Sequence, residues 1–542
     1  MKRGEIAQQV TRGAFFLAIE KTAALLSGMV YFALMLRWLG PTNYGMLTLA
    51  LAITGLASIA TGNFEVFLER FAAEYQARHR FDLLFRAHAL AVTVKLALGA
   101  LASAVLVSIA PHLAVQFNMP PLEVLVPILT VMVATDGLST TGRSLLFGLQ
   151  RYEWVSGLSL VNHVAKTIMV GLLWWSQQGL VALAVGLAVL AVVQSLLYAG
   201  AAWWLARRAA RSPKPAQLED LEDPAAEPLA RPVEDTRPLF SQMLGYCVPL
   251  LGARAAFLSG QNLGKVLLAK VLDATQLGYF TFAFQTIERF VELAYTVPSS
   301  LLPSLTHLVA RAERERLGYI FDQAFRLVQV AACTVAWCVF AFAPELTLWV
   351  GSPLFLPSVG MLHVLALVPI ARTAQQPLTM LFQAMRRPGI VFTLAIAKLA
   401  VELACYLLIV PRWGGLGAAW ANLAGAVASY LLALVFTAVL LPETVRDRSS
   451  VVLRALVLTL PMLGLAALLV PAGAHGVLSL IARVLLVLPA IFGLFALRLI
   501  TRYDLEKLSG LRLRAPLARR VRDLLVRTAE PLARLFETRR TA

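Results

Sequence analysis

Charged side chains are scarce in this chain of 542 residues. Asp, Glu, Lys and Arg make up 15% of it, whereas hydrophobic residues make up 59% and the mean hydropathy is +0.72. Soluble domains contain about 25% charged residues, so the composition excludes an ordinary soluble globular protein. We therefore interpret the chain as a membrane protein.

Cysteine and catalytic motifs are also scarce. The four cysteines fit neither a metal site nor a disulfide framework by their spacing, so we expect them to be packing residues. No phosphate-binding loop of the form G-x-x-x-x-G-K-[ST] is present, which argues against ATP coupling within the chain. No nucleophile arrangement stands out either. We predict no enzyme, no catalytic residue, no metal site and no cofactor.

Long apolar runs are what the sequence has in abundance. A run of about 20 apolar residues crosses a bilayer as a helix, because backbone groups cannot stay unpaired in lipid. About 14 such runs are present, over residues 13–36, 46–68, 88–110, 122–147, 155–176, 180–205, 241–268, 279–304, 321–343, 355–382, 389–410, 415–441, 452–471 and 477–498. The predicted fold class is all-α integral membrane.

The basic residues are distributed unevenly between the predicted loops. The net charge is +17, and most of the 48 Lys and Arg residues fall on one side of the predicted membrane, while the outer loops hold Arg37, Lys270 and Arg412. This asymmetry places both termini in the cytoplasm by the positive-inside rule. It also explains the basic composition without a nucleic-acid partner, and we expect none.

The sequence repeats itself at one nearly constant spacing. Residues 37–50 reappear as residues 270–283, with matches at Leu39 and Leu272, Thr42 and Thr275, Gly45 and Gly278, Thr48 and Thr281, and Ala50 and Ala283. Two shorter matches follow, Leu146-Phe147 with Leu381-Phe382 and Gly179-Leu180 with Gly415-Leu416. Internal repeats in an apolar chain are typical of transporters. Each copy holds six helices, an even number, so the repeats are predicted to be parallel.

These features divide the chain into predicted segments. We expect an N-lobe at 1–206, a disordered cytoplasmic linker at 207–239, a C-lobe at 240–441, two additional helices at 442–500 and a basic amphipathic cytoplasmic tail at 501–542. The linker is rich in proline and acidic residues, which cannot build a core. The tail is predicted to lie on the anionic inner leaflet, with binding to a partner or to nucleic acid as the weaker alternative.

Ionisable residues inside the spans are the strongest functional signal, because each costs several kcal/mol unless it pairs or meets water. Lys21 and Arg254 occupy equivalent positions of the two copies, each about 24 Å below the outer end of its helix. Two cations at matched positions suit a phosphate group. The alternative is that both side chains extend to the inner interface.

Other charged residues in the spans are secondary candidates. We predict cavity-lining cations at Lys265, Arg289 and Arg372, and ion-pair or coupling roles for Glu20, Asp136, Glu288 and Glu292. Lys398 and Glu402 are predicted to form an i,i+4 structural pair. Lys95 is expected to reach the interface near a helix end. Lys166 and Asp136 both lie deep, and the sequence does not decide whether they meet.

Three motifs together resemble a known family. They are Leu-Gly-Pro-Thr-Asn-Tyr-Gly from Leu39, Leu-Phe-Gly-Leu-Gln-Arg-Tyr from Leu146, and Trp-Gly-Gly-Leu-Gly-Ala-Ala from Trp413. Residues 1–441 resemble the polysaccharide flippases, the Wzx-like O-antigen and exopolysaccharide transporters of the multidrug/oligosaccharidyl-lipid/polysaccharide exporter superfamily. The two additional helices look like those of the lipid II flippase branch, where they form a groove for the lipid tail. The basic tail lies outside this pattern.

The resemblance implies a function and a location. It implies two six-helix lobes around a cationic cavity, alternating access, and an undecaprenyl-pyrophosphate-linked oligosaccharide as cargo in the bacterial inner membrane. Lipid-linked glycan and membrane lipids are the expected partners, with polysaccharide polymerase or assembly proteins as further candidates. Coupling to a proton gradient, a sodium gradient or the membrane potential stays open. A multidrug exporter of the same fold, a membrane glycosyltransferase or ligase, and a scaffold are the alternatives.

Overall fold

The computed structural model describes residues 3–77, 80–211, 238–299, 314–385 and 387–440, with a few isolated positions beyond them. The side chains of residues 3–19 and of Lys21 are not among those described. The core of the predicted linker, the two predicted additional helices and most of the basic tail also lie outside the described residues. Those segments therefore remain predictions.

The described chain is helical almost throughout. Its helices are α1 (Arg3–Ala57), α2 (Glu65–Ala77), α3 (Phe81–Gln116), α4 (Leu122–Gly148), α5 (Tyr152–Trp175), α6 (Leu180–Ala210), α7 (Leu239–Ala269), α8 (Ala274–Ser299), α9 (Arg314–Ala341), α10 (Ala343–Val350), α11 (Val359–Leu365), α12 (Val368–Ala384) and α13 (Pro388–Leu440). Short 3₁₀ helices lie at Ser58–Thr61 and Pro353–Ser358. No strand occurs among these residues.

Two of these helices are each broken at a glycine. Gly40 in α1 has φ 68° and Gly414 in α13 has φ 55°, a region that a residue with a Cβ rarely occupies. Each break divides its helix into two membrane-length segments. The halves correspond to the predicted spans 13–36 and 46–68, and 389–410 and 415–441. The predicted loop after the first span is a tight break at Gly40, where two helices meet.

Other predicted spans contain breaks that hydropathy did not indicate. The expectation of one unbroken helix over 46–68 is wrong, because Gly62 has φ 79° and separates the turn Ser58–Thr61 from α2. The predicted span 355–382 bends by 43° between α11 and α12, and α9 meets α10 at 77°. Hydropathy indicates which residues lie in the membrane, and a local break in the backbone does not change it. The breaks were therefore not predictable from the apolar runs.

The helices have the length and surface of membrane spans. In the described ranges six helices are long and apolar enough to cross a bilayer, or up to eight if each bent pair is one span. Large apolar side chains such as Leu101, Val115 and Leu408 are exposed on their surfaces. An exposed apolar surface of this kind faces lipid, where only helices and closed barrels satisfy their backbone groups. The fold is all-α and integral to the membrane.

The chain forms two compact units, Met1–Gly278 and Tyr279–Ala542. In the first unit α4 packs extensively against α3 and α6, and α1 packs against α5. Its core includes Phe67, Leu84 and Tyr198, all of which are almost completely buried. The predicted lobe boundaries at the linker stay a prediction.

The two copies of the repeated segment touch each other within the first unit. The hydroxyls of Thr42 and Thr275, 233 residues apart, lie within hydrogen-bonding distance at 2.9 Å. A Cβ added at Gly45 would overlap the carbonyl oxygen of Ala274, and one added at Gly278 would overlap that of Pro41. Each glycine therefore packs on the other copy's backbone, in the reciprocal pattern of a two-fold contact.

Candidate functional site

Lys95 is fully buried in the interior of α3, with 0% of its side chain exposed. Its Nζ donates to Glu65 Oε2 at 2.7 Å and to Thr140 Oγ1 at 2.8 Å, and lies 3.0 Å from Asp136 Oδ2. The expectation that Lys95 reaches the membrane interface is wrong. Two carboxylates from other helices meet it inside the bundle, and a buried cation is stable only when it is paired in this way.

A glycine on α4 brings the ionic side chains together. A Cβ added at Gly137 would lie 2.9 Å from the Cβ of Lys95 and 3.1 Å from the backbone nitrogen of Leu96. The absence of that Cβ allows α3 and α4 to approach closely, as small residues do in membrane helices. Asp136 and Thr140 sit on the same stretch of α4, which places their oxygens next to the Lys95 ammonium group.

Arg254 on α7 joins the same group of side chains. Its Nη1 donates to Asn63 Oδ1 at 3.0 Å and forms an ion pair with Glu65 Oε1. Asn63 and Glu65 follow the break at Gly62, and Glu65 is the first residue of α2. The break therefore supplies both acceptors for Arg254, whose side chain is 21% exposed.

We call Asn63, Glu65, Lys95, Asp136 and Arg254 the Glu65 network. Glu65 is its centre, because one carboxylate oxygen meets Lys95 and the other meets Arg254. Asp136 also accepts from the hydroxyl of Thr61 at 3.4 Å. Two cations and two carboxylates from α2, α3, α4 and α7 balance each other, so the network as a whole is neutral.

The described part of the second unit contains two further ion pairs, one between two helices and one within a helix. Arg372 on α12 pairs with Glu288 on α8. Lys398 Nζ lies 2.8 Å from Glu402 Oε1 on α13, which confirms the predicted i,i+4 pair, and Asn422 donates to the same carboxylate oxygen at 2.9 Å. The sequence offered no partner for Arg372 in its own span, and the structure supplies one from another helix.

The remaining predicted site residues have varied surroundings. Lys21 and Glu292 lie on α1 and α8 with side chains outside the described residues. Lys265 and Arg289 are half-buried on α7 and α8, and each takes part in interactions there. Glu20 is buried, with its carboxylate 3.6 Å from Arg143.

Sequence reasoning missed the two residues that hold Arg254. Asn63 and Glu65 lie inside the predicted span 46–68, and an acidic residue in such a span is itself a functional signal. Gly62 and Asn63 are a second signal, because both residue types are favoured in turns. The question left open for Asp136 is also answered. Its described cation partner is Lys95 rather than Lys166.

Comparisons with known proteins agree with this architecture. A family model described as polysaccharide biosynthesis protein matches residues 10–309. The chain belongs to this family. No curated protein matches the sequence. Among solved structures, lipid II flippase MurJ in an inward closed conformation matches with a TM-score of 0.58 at 11% identity, over 88% of this chain and 98% of that chain.

A second solved structure shares the fold of this polysaccharide biosynthesis family member. An inward-facing multidrug resistance MATE family transporter of the MOP superfamily matches with a TM-score of 0.60 at 13% identity, over 81% of this chain and 98% of that chain. At these identities the likeness concerns the fold. The family model thereby confirms a polysaccharide biosynthesis protein, the fold is shared with these two transporters, and the chain is a multi-pass membrane protein.

Proposed function

We propose that this family member flips an undecaprenyl-pyrophosphate-linked oligosaccharide from the cytoplasmic to the periplasmic leaflet by alternating access. The observation that carries the proposal is Arg254, a partly exposed cation on a membrane helix. The family membership and the shared fold support transport of a polysaccharide precursor. In this proposal the chain is in the bacterial inner membrane with both termini cytoplasmic, because its Lys and Arg residues lie mostly on one predicted side.

The geometry of Arg254 suits a phosphate. Both contacts to Asn63 and Glu65 use Nη1. The Nε and Nη2 donors have no hydrogen-bond partner among the described residues. A guanidinium edge with two parallel donors matches a phosphate or pyrophosphate oxygen pair. The same positive group disfavours an organic cation, which is the cargo expected of a multidrug exporter.

The proposal includes three further expectations. The partners are the lipid-linked glycan and membrane lipids, with polymerase or assembly proteins as further candidates. No cofactor is required. The energy comes from a proton gradient, a sodium gradient or the membrane potential.

Complementation of glycan export in a deletion strain tests the proposal, with membrane levels checked by immunoblot. Arg254→Ala should abolish export, while Arg254→Lys keeps part of it because the charge persists but the bidentate geometry is lost. Arg254→Glu should be the most severe. Arg412→Ala is the matched control, because Arg412 is exposed at the kink of α13 and is not one of the side chains of the network. Lys21→Ala should reduce export severely and Lys21→Arg mildly.

Full export by the Lys21→Ala, Arg254→Ala double variant would overturn the phosphate-binding role. In that case an organic cation or a scaffold role becomes the better account. Transport assays with fluorescent drug cations then separate these two, since a scaffold moves neither cargo.

A further inference from the structure

Glu65 is shared by two cations that differ in their freedom to move. Lys95 contacts one oxygen and is fully buried, and it also donates to Thr140 and lies 3.0 Å from Asp136. Arg254 contacts the other oxygen with its side chain 21% exposed. Lys95 is therefore held from several sides, whereas Arg254 has a path away from Glu65.

The second cation changes the cost of moving Arg254. If Arg254 were the sole partner of Glu65, turning toward an anion would leave a buried carboxylate without a counter-ion, which costs several kcal/mol. Lys95 lies 2.7 Å from Glu65 and is also held by Thr140 and Asp136. Glu65 thus keeps one cationic partner when the guanidinium turns toward another anion, which lowers the cost of that exchange.

We propose that Lys95 is a positioning residue that keeps Arg254 available to an anionic cargo by neutralising Glu65. The inference rests on the proposed function, in which Arg254 binds the pyrophosphate group. Lys95 itself does not touch the cargo, since no part of its side chain is exposed. Asp136 is the second carboxylate beside Lys95, and its charge makes the complete network neutral.

A charge-neutral double variant isolates this role. Lys95→Met with Asp136→Asn removes one cation and one carboxylate, so the net charge of the network is unchanged and Arg254 becomes the sole cation beside Glu65. The purified variant should bind farnesyl pyrophosphate about tenfold more weakly than the wild type, within the usual range of coupling between sites. Farnesol, which has the same chain but lacks the phosphate groups, is the matched probe and should bind both proteins equally.

Rescue by a third substitution separates positioning from structural damage. Adding Glu65→Gln to the double variant removes the carboxylate that retains Arg254, so affinity for farnesyl pyrophosphate should return to within about threefold of the wild type. Loss of packing would instead leave the triple variant as weak as the double variant or weaker, because Glu65→Gln restores none of the packing lost at Lys95 and Asp136. Lys95→Arg should bind as the wild type does.

The binding measurements distinguish a failure of the positioning role from a failure of the proposed function. If Arg254→Ala loses affinity but the Lys95→Met, Asp136→Asn variant binds as the wild type does, the positioning role is overturned and the proposed function stands. If Arg254→Ala itself binds normally, the proposed function fails. Should the double variant not fold, Glu65→Gln alone decides: affinity equal to or above that of the wild type supports the role of Lys95, and affinity about tenfold lower contradicts it.

Discussion

The charged side chains of the two units are organised differently. In Met1–Gly278 the Glu65 network connects α2, α3, α4 and α7, and its cation Lys95 is fully buried. In Tyr279–Ala542 the pair of Arg372 and Glu288 joins two helices, whereas Lys398 and Glu402 lie on one helix with Lys398 26% exposed. In the first unit one carboxylate thus meets two cations through its two oxygens, and this arrangement is the basis of our proposal for Arg254.

The repeated segment shows the opposite behaviour. Thr42 and Thr275, and likewise Gly45 and Gly278, are identical in the two copies and meet at equivalent contacts. These matched residues make packing or hydroxyl contacts, and none of them belongs to the Glu65 network. The contact between the two copies thus involves none of the charged side chains of that network.

The largest expected effect on stability comes from removing the buried cation Lys95. Lys95→Ala should destabilise the protein by about 3–5 kcal/mol, because Asp136 loses its ion-pair partner inside the bundle. Lys398→Ala is the matched change in the second unit and should cost about 1–3 kcal/mol, since Asn422 still donates to Glu402. Equilibrium unfolding in detergent measures both. Equal losses would show that the two units depend on their charges in the same way.

The second-largest loss of stability is expected from substitutions of the two glycines at the two-fold contact. Gly45→Ala and Gly278→Ala should each destabilise by about 2–3 kcal/mol, because the added Cβ overlaps a backbone carbonyl that cannot move alone. Gly200→Ala on α6 is the control, since nothing lies within 4 Å of its added Cβ. The same unfolding assay applies. A large difference between Gly45→Ala and Gly278→Ala would contradict an equivalent contact in the two copies.

The sequence predicted the helices better than it predicted the ionic contacts. Twelve predicted spans correspond to helical segments of the described chain, because length and hydropathy are local properties. The partners of Lys95 were not predictable in this way, since Glu65 is 30 residues away on another helix. Arg372 and Glu288 are 84 residues apart. Only the packing of the helices decides which charges meet.

Arg254 shows what the internal repeat could predict about the site and what it could not. Its position was identified from the spacing to Lys21, and the structure places it beside two acceptors that the spacing could not indicate. Asn63 and Glu65 are brought to it by the break at Gly62, which interrupts a run that hydropathy treats as one span. A local backbone feature thus determined a contact that the repeat pattern alone could not supply.

A smaller effect is expected from the glycines that lie against the buried charges. Gly137→Ala should cost about 2 kcal/mol and Gly425→Ala about 1 kcal/mol. The added Cβ at Gly137 meets Lys95, which is tied to α2 and α4, whereas the one at Gly425 meets Glu402, whose partner Lys398 moves with it on the same helix. Unfolding in detergent again gives the two values. The reverse order would mean that the second unit holds its ion pair more rigidly.

The smallest effect concerns the hydroxyl pair at the two-fold contact. Thr42→Val and Thr275→Val remove a hydrogen bond of 2.9 Å while keeping the shape of each side chain. Hydrogen bonds between membrane helices contribute about 0.6 kcal/mol on average in double-mutant cycles. We expect a coupling energy of that size between the two substitutions, measured from the four unfolding free energies of the cycle.

The Thr48→Val, Thr281→Val cycle is the control for that measurement. Thr48 and Thr281 are also identical in the two copies, but the Thr48 hydroxyl donates to Gly45 within its own helix rather than to the other copy. Their coupling should therefore be close to zero. A coupling at Thr48 and Thr281 as large as that at Thr42 and Thr275 would show that the energy is not local to the hydroxyl pair, and the two-fold contact would then owe its stability to the glycines alone.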